Sequence, residues 1–568
     1  MLSLVTADTD PIVGSLAGAV APEGSLSMSP PNSSNPRLIR AVRLLSLALL
    51  VLAICFRFIH LDRKVYWHDE AYTSMVITAR PGKYFSDELF QNRLVRPADL
   101  LAYQQFVPTL TLQDMMIRKG AEDVQHPPLY YLLLRFWAMV WGTSPAAIRS
   151  LSALLGLLLF PAVYWLCLEL FESALAGWLA IALFAVSPLQ LAYAQEAREY
   201  GVWSVLILVN SALLLRAMRV ATWRNWVWYG VSLAIAFYTA LFTVWIVVGH
   251  WFYTIVLDDG NQCFRLPLRV GKRTVFYLAT LFIVLLLFSP WVYVMVTAGN
   301  ALAVTTSWTS VSLPLMINLQ STVFNFSRSF VDFNFDWSDP IAYVLALPIL
   351  SLQGYAVYRL CRTAPTRIWW FLLTFIGGTA LALGVPDLLS GGQRFMVTRY
   401  LFPCFMGLQL AVVYLLAIDG TQRQYWRMRF ATLTFALLMF LGVLSCSVYT
   451  QSNTWWNKVL NSNYPQVAAL INESDRPLII TDAYSYNPAS MISLSYLVKP
   501  TTQFLLLPPV GNSFPVNNLP ADVESIFLFN LPPVFRQQFE ATYHQRTVSV
   551  FEDSWNSVWE AQRSLPEP

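Results

Sequence analysis

The stretch AVRLLSLALLVLAICFRFI (residues 41–59), followed by WHDEAY (residues 67–72), decides how the whole chain is read. The first run is long and apolar enough to cross the hydrocarbon core of a bilayer as one helix. Arg37, Arg40 and Arg43 stand at its start. That charge pattern predicts an uncleaved signal anchor with a cytoplasmic N-terminus. Asp69 and Glu70 then fall at the water boundary just past the span. Ionisable groups so close to hydrocarbon are costly, and they mark a functional site by default. The plainer alternative is an acidic start to the next helix, which the helix dipole favours.

Composition points the same way. Of the 568 residues, 56% are apolar or aromatic and only 12% are charged. A soluble chain would carry about 25% charged residues. Apolar runs recur at about 41–59, 148–168, 174–190, 199–217, 226–257, 274–297, 340–361, 367–385, 399–418 and 429–449. The run 226–257 is too long for one crossing and suits two short helices turning near Phe237 to Thr239, which makes eleven. The expected fold class is therefore an all-α polytopic membrane protein, with a small α/β region after residue 450. The net charge of +4 is small and says nothing about nucleic acid, and no nucleic-acid partner is expected. Six cysteines (Cys55, Cys167, Cys263, Cys361, Cys404 and Cys446) are scattered without CxxC or Cys/His spacing. That argues against a disulfide framework or a zinc site.

Residues 1–36 are rich in Ser, Pro, Gly and Ala and predict a disordered tail. The segment 128–141 is apolar but short. If it does not cross, Arg216, Arg219 and Arg224 lie on the cytoplasmic side. So do Arg265, Arg269, Lys272 and Arg273, then Arg359, Arg362 and Arg367, and finally Arg423, Arg427 and Arg429. If it crosses, every one of these clusters moves outside, so the first arrangement fits the positive-inside bias. The segment is then a juxtamembrane or re-entrant helix on the outer face. Asp69, Glu70, the loop 60–147, residues 195–198, the loop 299–339, Arg394, Arg399 and the region 450–568 all face outward. In that last region, strands near 477–481, 503–507, 524–529 and 547–551 alternate with helices near 464–473 and 489–497.

Four motifs share the outer face: WHDEAY (67–72), HPPLYY (126–131), YAQEAREY (193–200), and Arg394 with TRYLFP (398–403). Together and in this order they make residues 40–450 resemble the GT-C glycosyltransferases. The nearer likeness is to bacterial members of the protein O-mannosyltransferase and lipid A aminoarabinose transferase group. The resemblance implies a transmembrane catalytic domain at 37–449 and an extracytoplasmic domain at 450–568, in a bacterial plasma (inner) membrane. It implies a polyprenyl-phosphate sugar donor and an acceptor hydroxyl on a protein, lipid or envelope glycan. Asp69 matches the first-loop aspartate and is expected to be the general base, with Glu70 orienting it or holding the acceptor. Arg399 is expected to bind the donor phosphate, since a planar guanidinium suits phosphate oxygens. His126, where the aminoarabinose branch has a lysine, and Arg394 are further phosphate candidates. Glu196 and Arg198 are expected near the acceptor, paired with each other or with the Asp69 loop, and Tyr72 and Tyr130 beside them. No cofactor is expected. A hard cation at Asp62, Asp69 and Glu70 is weighed and not adopted.

Each of these residues also has a plain structural role. Arg399 could be a snorkelling interfacial anchor, His126 could cap the helix that follows its two prolines, and Glu196 with Arg198 could close a helical hairpin. Two other functions remain open from the sequence. A lipid-sugar flippase would show internal repeats and charges at mid-membrane, and neither is found. A non-catalytic assembly protein would have no need of the Asp-Glu pair and both outer arginines.

Overall fold

The computed structural model describes residues 36–258, 271–336, 338–421, 424–509, 519–520 and 522–563. The expected tail up to residue 35, with Cys263, Arg265, Arg269 and Arg423, lies outside the described residues.

Among the described residues, eight helices are long and apolar enough to cross a membrane: Pro36–Phe58, Pro145–Phe171, Tyr200–Arg219, Lys272–Thr297, Pro340–Thr363, Thr366–Ser390, Phe402–Asp419 and Tyr425–Gln451. This is a multi-pass membrane protein. The helices differ in what surrounds them. Phe402–Asp419 is buried along nearly its whole length, while Pro36–Phe58 and Lys272–Thr297 turn Leu44, Val51, Phe282 and Leu286 outward. In lipid an outward leucine is at no disadvantage, so one set of apolar residues forms both the core and the lipid-facing surface.

The remaining crossings of the expected eleven are not all of spanning length. Ala174–Ala185 and Pro188–Ala194 together would make a ninth, but they meet at a 63° bend. Pro188 causes it, because its ring removes a backbone donor and begins a new helix at its first turn. The 226–257 run divides into Trp223–Thr239 and Thr243–Leu257. Leu129–Trp141 is a separate apolar helix of 13 residues.

A six-stranded sheet has the order β1-β3-β2-β4-β6-β5. Its strands are β1 (Arg93–Val95), β2 (Pro477–Asp482), β3 (Gln503–Leu507), β4 (Ser525–Phe529), β5 (Gln545–Glu552) and β6 (Ser557–Arg563). β2, β3 and β4 run parallel with β2 in the middle, and β2 and β3 are buried along their whole length. That explains why Leu478 to Ile480 and Phe504 to Leu507 read as unbroken apolar runs. β1 comes from the first long loop and pairs antiparallel with β3. The sheet is therefore not built from the region after residue 450 alone.

Candidate active site

The helix His68–Ile77 starts on Trp67, whose backbone N–H donates to Glu70 Oε2 at 3.2 Å. That first-turn bond turns Glu70 inward and leaves Asp69, one residue earlier, on a different face. Glu70 is fully buried. Arg149 grips it with two hydrogen bonds of 2.7 Å, Nε to Oε1 and Nη2 to Oε2. The Ala197 N–H donates to Oε1 at 2.9 Å, and Lys458 Nζ lies 3.7 Å from Oε2. Burial opposes the charge, but Arg149 and Lys458 outweigh it and draw the carboxyl down to about 2. Glu70 is therefore a tie between four chain segments.

Glu196 is equally buried and bonds Lys458 Nζ at 2.8 Å and Asn457 Nδ2 at 2.6 Å. It does not pair with Arg198 among the described contacts. Burial raises its carboxyl above the ordinary range, against the pull of Lys458. Lys64 completes this inner cluster, with its ammonium nitrogen 3.6 Å from the centre of the Tyr449 ring. Burial, then the charges of Lys458 and Arg149, push Lys64 down to about 6. Unfolded, it would hold its proton to about 10.5. The unfolded chain thus binds more protons between those values, and this residue makes stability rise with pH across that window. Lys64→Met should flatten the rise between pH 6 and 10 in thermal melts; an unchanged slope refutes the assignment.

Asp69 lies outside that cluster with a 19% exposed side chain. Its Oδ2 is 3.6 Å from Arg399 Nη2, and its carboxylate accepts no hydrogen bond among the described residues. Burial would lift its pKa, but the Arg399 and Arg198 charges outweigh it and hold the carboxyl below the usual range. The neighbouring His68 imidazole is pushed down to about 4 by burial, with Asp69 opposing.

Arg399 sits on the short 3-10 turn Thr398–Tyr400, which Thr398 pins by donating from Oγ1 to Asn325 Oδ1 at 2.8 Å. Trp67, Tyr200, Trp308 and Tyr400 surround its guanidinium with ring centres 5.3–5.8 Å away. These rings attract the cation while screening it from water. Its Nε is buried and has no hydrogen-bond partner among the described residues. The side chain therefore keeps donor capacity in hand.

Arg198 does reach the Asp69 loop. Its Nη1 donates to Thr73 Oγ1 and Tyr131 Oη, both at 3.1 Å, and to the Asp69 carbonyl at 3.4 Å. Nη2 lies 2.9 Å from His126 Nε2. A guanidinium can only donate, so Nε2 accepts. The ring proton then sits on Nδ1, 2.6 Å from Asp123 Oδ1. Both ring nitrogens of His126 are thus engaged, one with Asp123 and one with Arg198. Arg394 is likewise engaged, since Asp387 and Ser310 hold its guanidinium at 2.8 and 2.7 Å. Tyr130 is buried with its hydroxyl 2.7 Å from Ser152 Oγ, so it supports the helices from within. Tyr72 packs edge-on against His68.

The sequence reading missed Arg149, Lys458, Lys64, Lys119 and Asp123. Arg149 carried a signal, as a lone cation inside the apolar run 148–168. Lys458 follows two tryptophans directly after the last span. Lys119, wholly buried, pairs with Asp123 at 2.7 Å beside the Tyr131 ring.

A cavity of ≈ 900 Å³ opens between Leu112–Glu122, Leu129–Trp141 and Lys272–Thr297, lined by Ile117, Leu129, Leu132, Trp291 and Val294. Its rim includes Pro128, two residues from His126.

Residues 125–294 match the family described as dolichyl-phosphate-mannose-protein mannosyltransferase. The matched segment holds His126, Glu196 and Arg198 but not Asp69 or Arg399. The match spans less than a third of the chain. Similar solved structures include ArnT from Cupriavidus metallidurans bound to undecaprenyl phosphate, at 13% identity and TM-score 0.48, covering 91% of this chain and 97% of that one. Another is the Archaeoglobus fulgidus oligosaccharyltransferase in the apo form, at 13% identity and TM-score 0.44, covering 85% and 69%. No curated protein sequence matches.

Proposed function

We propose that the chain moves a sugar from a polyprenyl-phosphate carrier to an acceptor hydroxyl at the outer face of a bacterial plasma membrane, with Asp69 as the base. The observation that carries this reading is the Asp69–Arg399 pair at 3.6 Å, partly open to solvent and ringed by aromatic side chains. In the transfer, the acceptor oxygen bonds to the sugar's anomeric carbon and Asp69 takes its proton. The bond from that carbon to the phosphate oxygen breaks, and the lipid phosphate leaves with the electron pair. Fixed cations at the developing charge stabilise such a departure by roughly a few kcal/mol each. Arg399, through its unpartnered donor, and Arg198 beside it are placed to act so. The apolar cavity near Pro128 would hold part of the carrier's hydrocarbon chain, in keeping with the dolichyl-phosphate donor in the family's description.

The pair also implies an order of events. Without donor, Arg399 faces Asp69 and lowers its basicity. A phosphate competing for Arg399 would loosen that hold and leave Asp69 a stronger base when both substrates are present.

The outward orientation rests on the distribution of arginines. Glu169 with Arg216 and Arg219, and Asp419 with Arg359, pair among the helix ends assigned to the cytoplasm. Eleven crossings and an extracytoplasmic region after residue 450 belong to the same proposal.

The test is the pH profile of transfer. With Asp69 held low, the acid limb of kcat/KM should fall below the ordinary carboxylate range. Arg399→Gln removes the largest attractive charge, so the limb should move to higher pH as the rate drops. A limb that stays fixed or moves down removes Asp69 as the base.

A further inference from the structure

The parallel strands β2, β3 and β4 create a feature that the transfer chemistry does not use. From β2 the chain crosses to β3 on one side of it, and β4 lies on the other side. Connections leaving in opposite directions open a crevice beyond the carboxyl ends of β2 and β4, where open α/β sheets bind ligands. A cavity of ≈ 500 Å³ lies there, within the roughly 300–1,000 Å³ usual for small-molecule sites. Its walls include Asp482 at the end of β2, Tyr484 and Tyr486 just after it, Asn530 after β4, and Asp553 and Trp555 between β5 and β6.

The lining chemistry narrows the ligand class. Tyr484 is 70% exposed and Trp555 51%. The Tyr484 hydroxyl and the Trp555 indole N–H have no hydrogen-bond partner among the described residues. Two large rings with polar tips are thus held open around a polar floor. Asp482 and Asn487 bond at 2.9 Å, Asn487 and Asn530 at 3.1 Å, so that floor is fixed before any ligand arrives. The lining contains two carboxylates and no lysine or arginine. A phosphate, nucleotide or uronic acid would meet repulsion there. An extended peptide adding to the sheet would need a free strand edge, and this opening lies at strand ends. An uncharged pyranose fits both demands, with a C–H face for the aromatic rings and fixed hydroxyls for amides and carboxylates.

The cavity also adjoins the transfer site. Tyr486 lies 6.3 Å, ring centre to ring centre, from His68, the residue before Asp69. The Tyr486 hydroxyl donates to the Trp555 carbonyl, so one tyrosine links the cavity's outer ring to the wall beside the base. We infer that this cavity binds an uncharged glycan and selects it as the acceptor, with Tyr484 and Trp555 stacking on its sugar rings. The acceptor role rests on the transferase reading above; the binding itself does not.

The experiment uses the full chain in detergent, with ligand-detected NMR. The probes are neutral gluco-, manno-, galacto- and N-acetylglucosamine oligosaccharides, an oligogalacturonate as the anionic control, and a Ser/Thr-rich peptide. At least one neutral oligosaccharide should bind. Trp555→Ala and Tyr484→Ala should each weaken it at least tenfold, and Trp555→Phe and Tyr484→Phe should restore most of the loss. Both side chains are largely exposed, so neither change opens the core. Asp69→Asn should bind the same sugar as the unaltered protein. No binding by any neutral probe overturns the inference. So does stronger binding of the anionic control or the peptide, or indifference to both alanine changes. Undiminished transfer by Asp69→Asn would overturn the transferase assignment of Asp69 while leaving sugar binding by the cavity intact, so the two failures are distinguishable.

Discussion

Asp69→Asn should remove transfer almost completely while leaving the protein folded and able to bind its lipid carrier. Asparagine keeps the size and polarity of the side chain but cannot take a proton. General base catalysis is worth roughly 10²–10⁴-fold, and the rate should fall by that order. The Asp69 carboxylate accepts no hydrogen bond among the described residues and its side chain is 19% exposed, so the amide breaks no hydrogen bond and costs only the attraction to Arg399 and Arg198. Mass spectrometry of envelope lipids, glycans and proteins from cells carrying either form supplies the readout, with native mass spectrometry of bound polyprenyl phosphate as the control. A modification that persists at the unaltered level with Asp69→Asn would mean that another group accepts the proton.

Arg149→Leu should be the most damaging single change to stability. Its guanidinium bridges Glu70 and also donates to the carbonyls of Leu61, Lys64 and Val65, at 2.7, 3.1 and 3.1 Å. Removing one partner of such a buried pair strands the other charge and costs about 3–5 kcal/mol. Glu70→Gln should be milder, because the amide oxygen still accepts one hydrogen bond and Lys458 keeps Glu196. Replacing both partners, Glu70→Leu with Arg149→Leu, should recover part of the loss by removing the stranded carboxylate. Thermal melts of these proteins and of Glu70→Leu alone, in one detergent, measure this. Losses that simply add in the double variant would show that the pair is not coupled. A Glu70→Gln protein that melts normally yet has lost all transfer would return Glu70 to the chemistry.

How much of this was legible in the sequence depends on what each residue answers to. Span positions are set by the bilayer, and long apolar runs report them directly. The division of 223–257 and the bend before Pro188 were visible only as excess length and a proline, because packing decides where such runs break. The strands near 477–481 and 503–507 were readable from their unbroken apolar character. β1 was not, since three residues of Arg-Leu-Val carry no period. Asp69, Arg198 and Arg399 could be singled out because they stand next to spans, and the fold brings the three together. Arg149 and Lys458 were missed because their function is defined by Glu70 and Glu196, which are far away along the chain. The contacts of His126 were hidden for a related reason. Its role follows from Asp123 and Arg198 on either side, and a sequence shows neither neighbour.

One feature of assembly follows from where the last tie to the acidic pair comes from. Lys458, Asn457 and Asn461 emerge from the ribosome only after every membrane helix, yet they hold Glu196, Glu70 and the backbone of His68. The β1 strand waits as long for β3. The buried Glu196 and Glu70 therefore lack these partners until the chain has been made past residue 461.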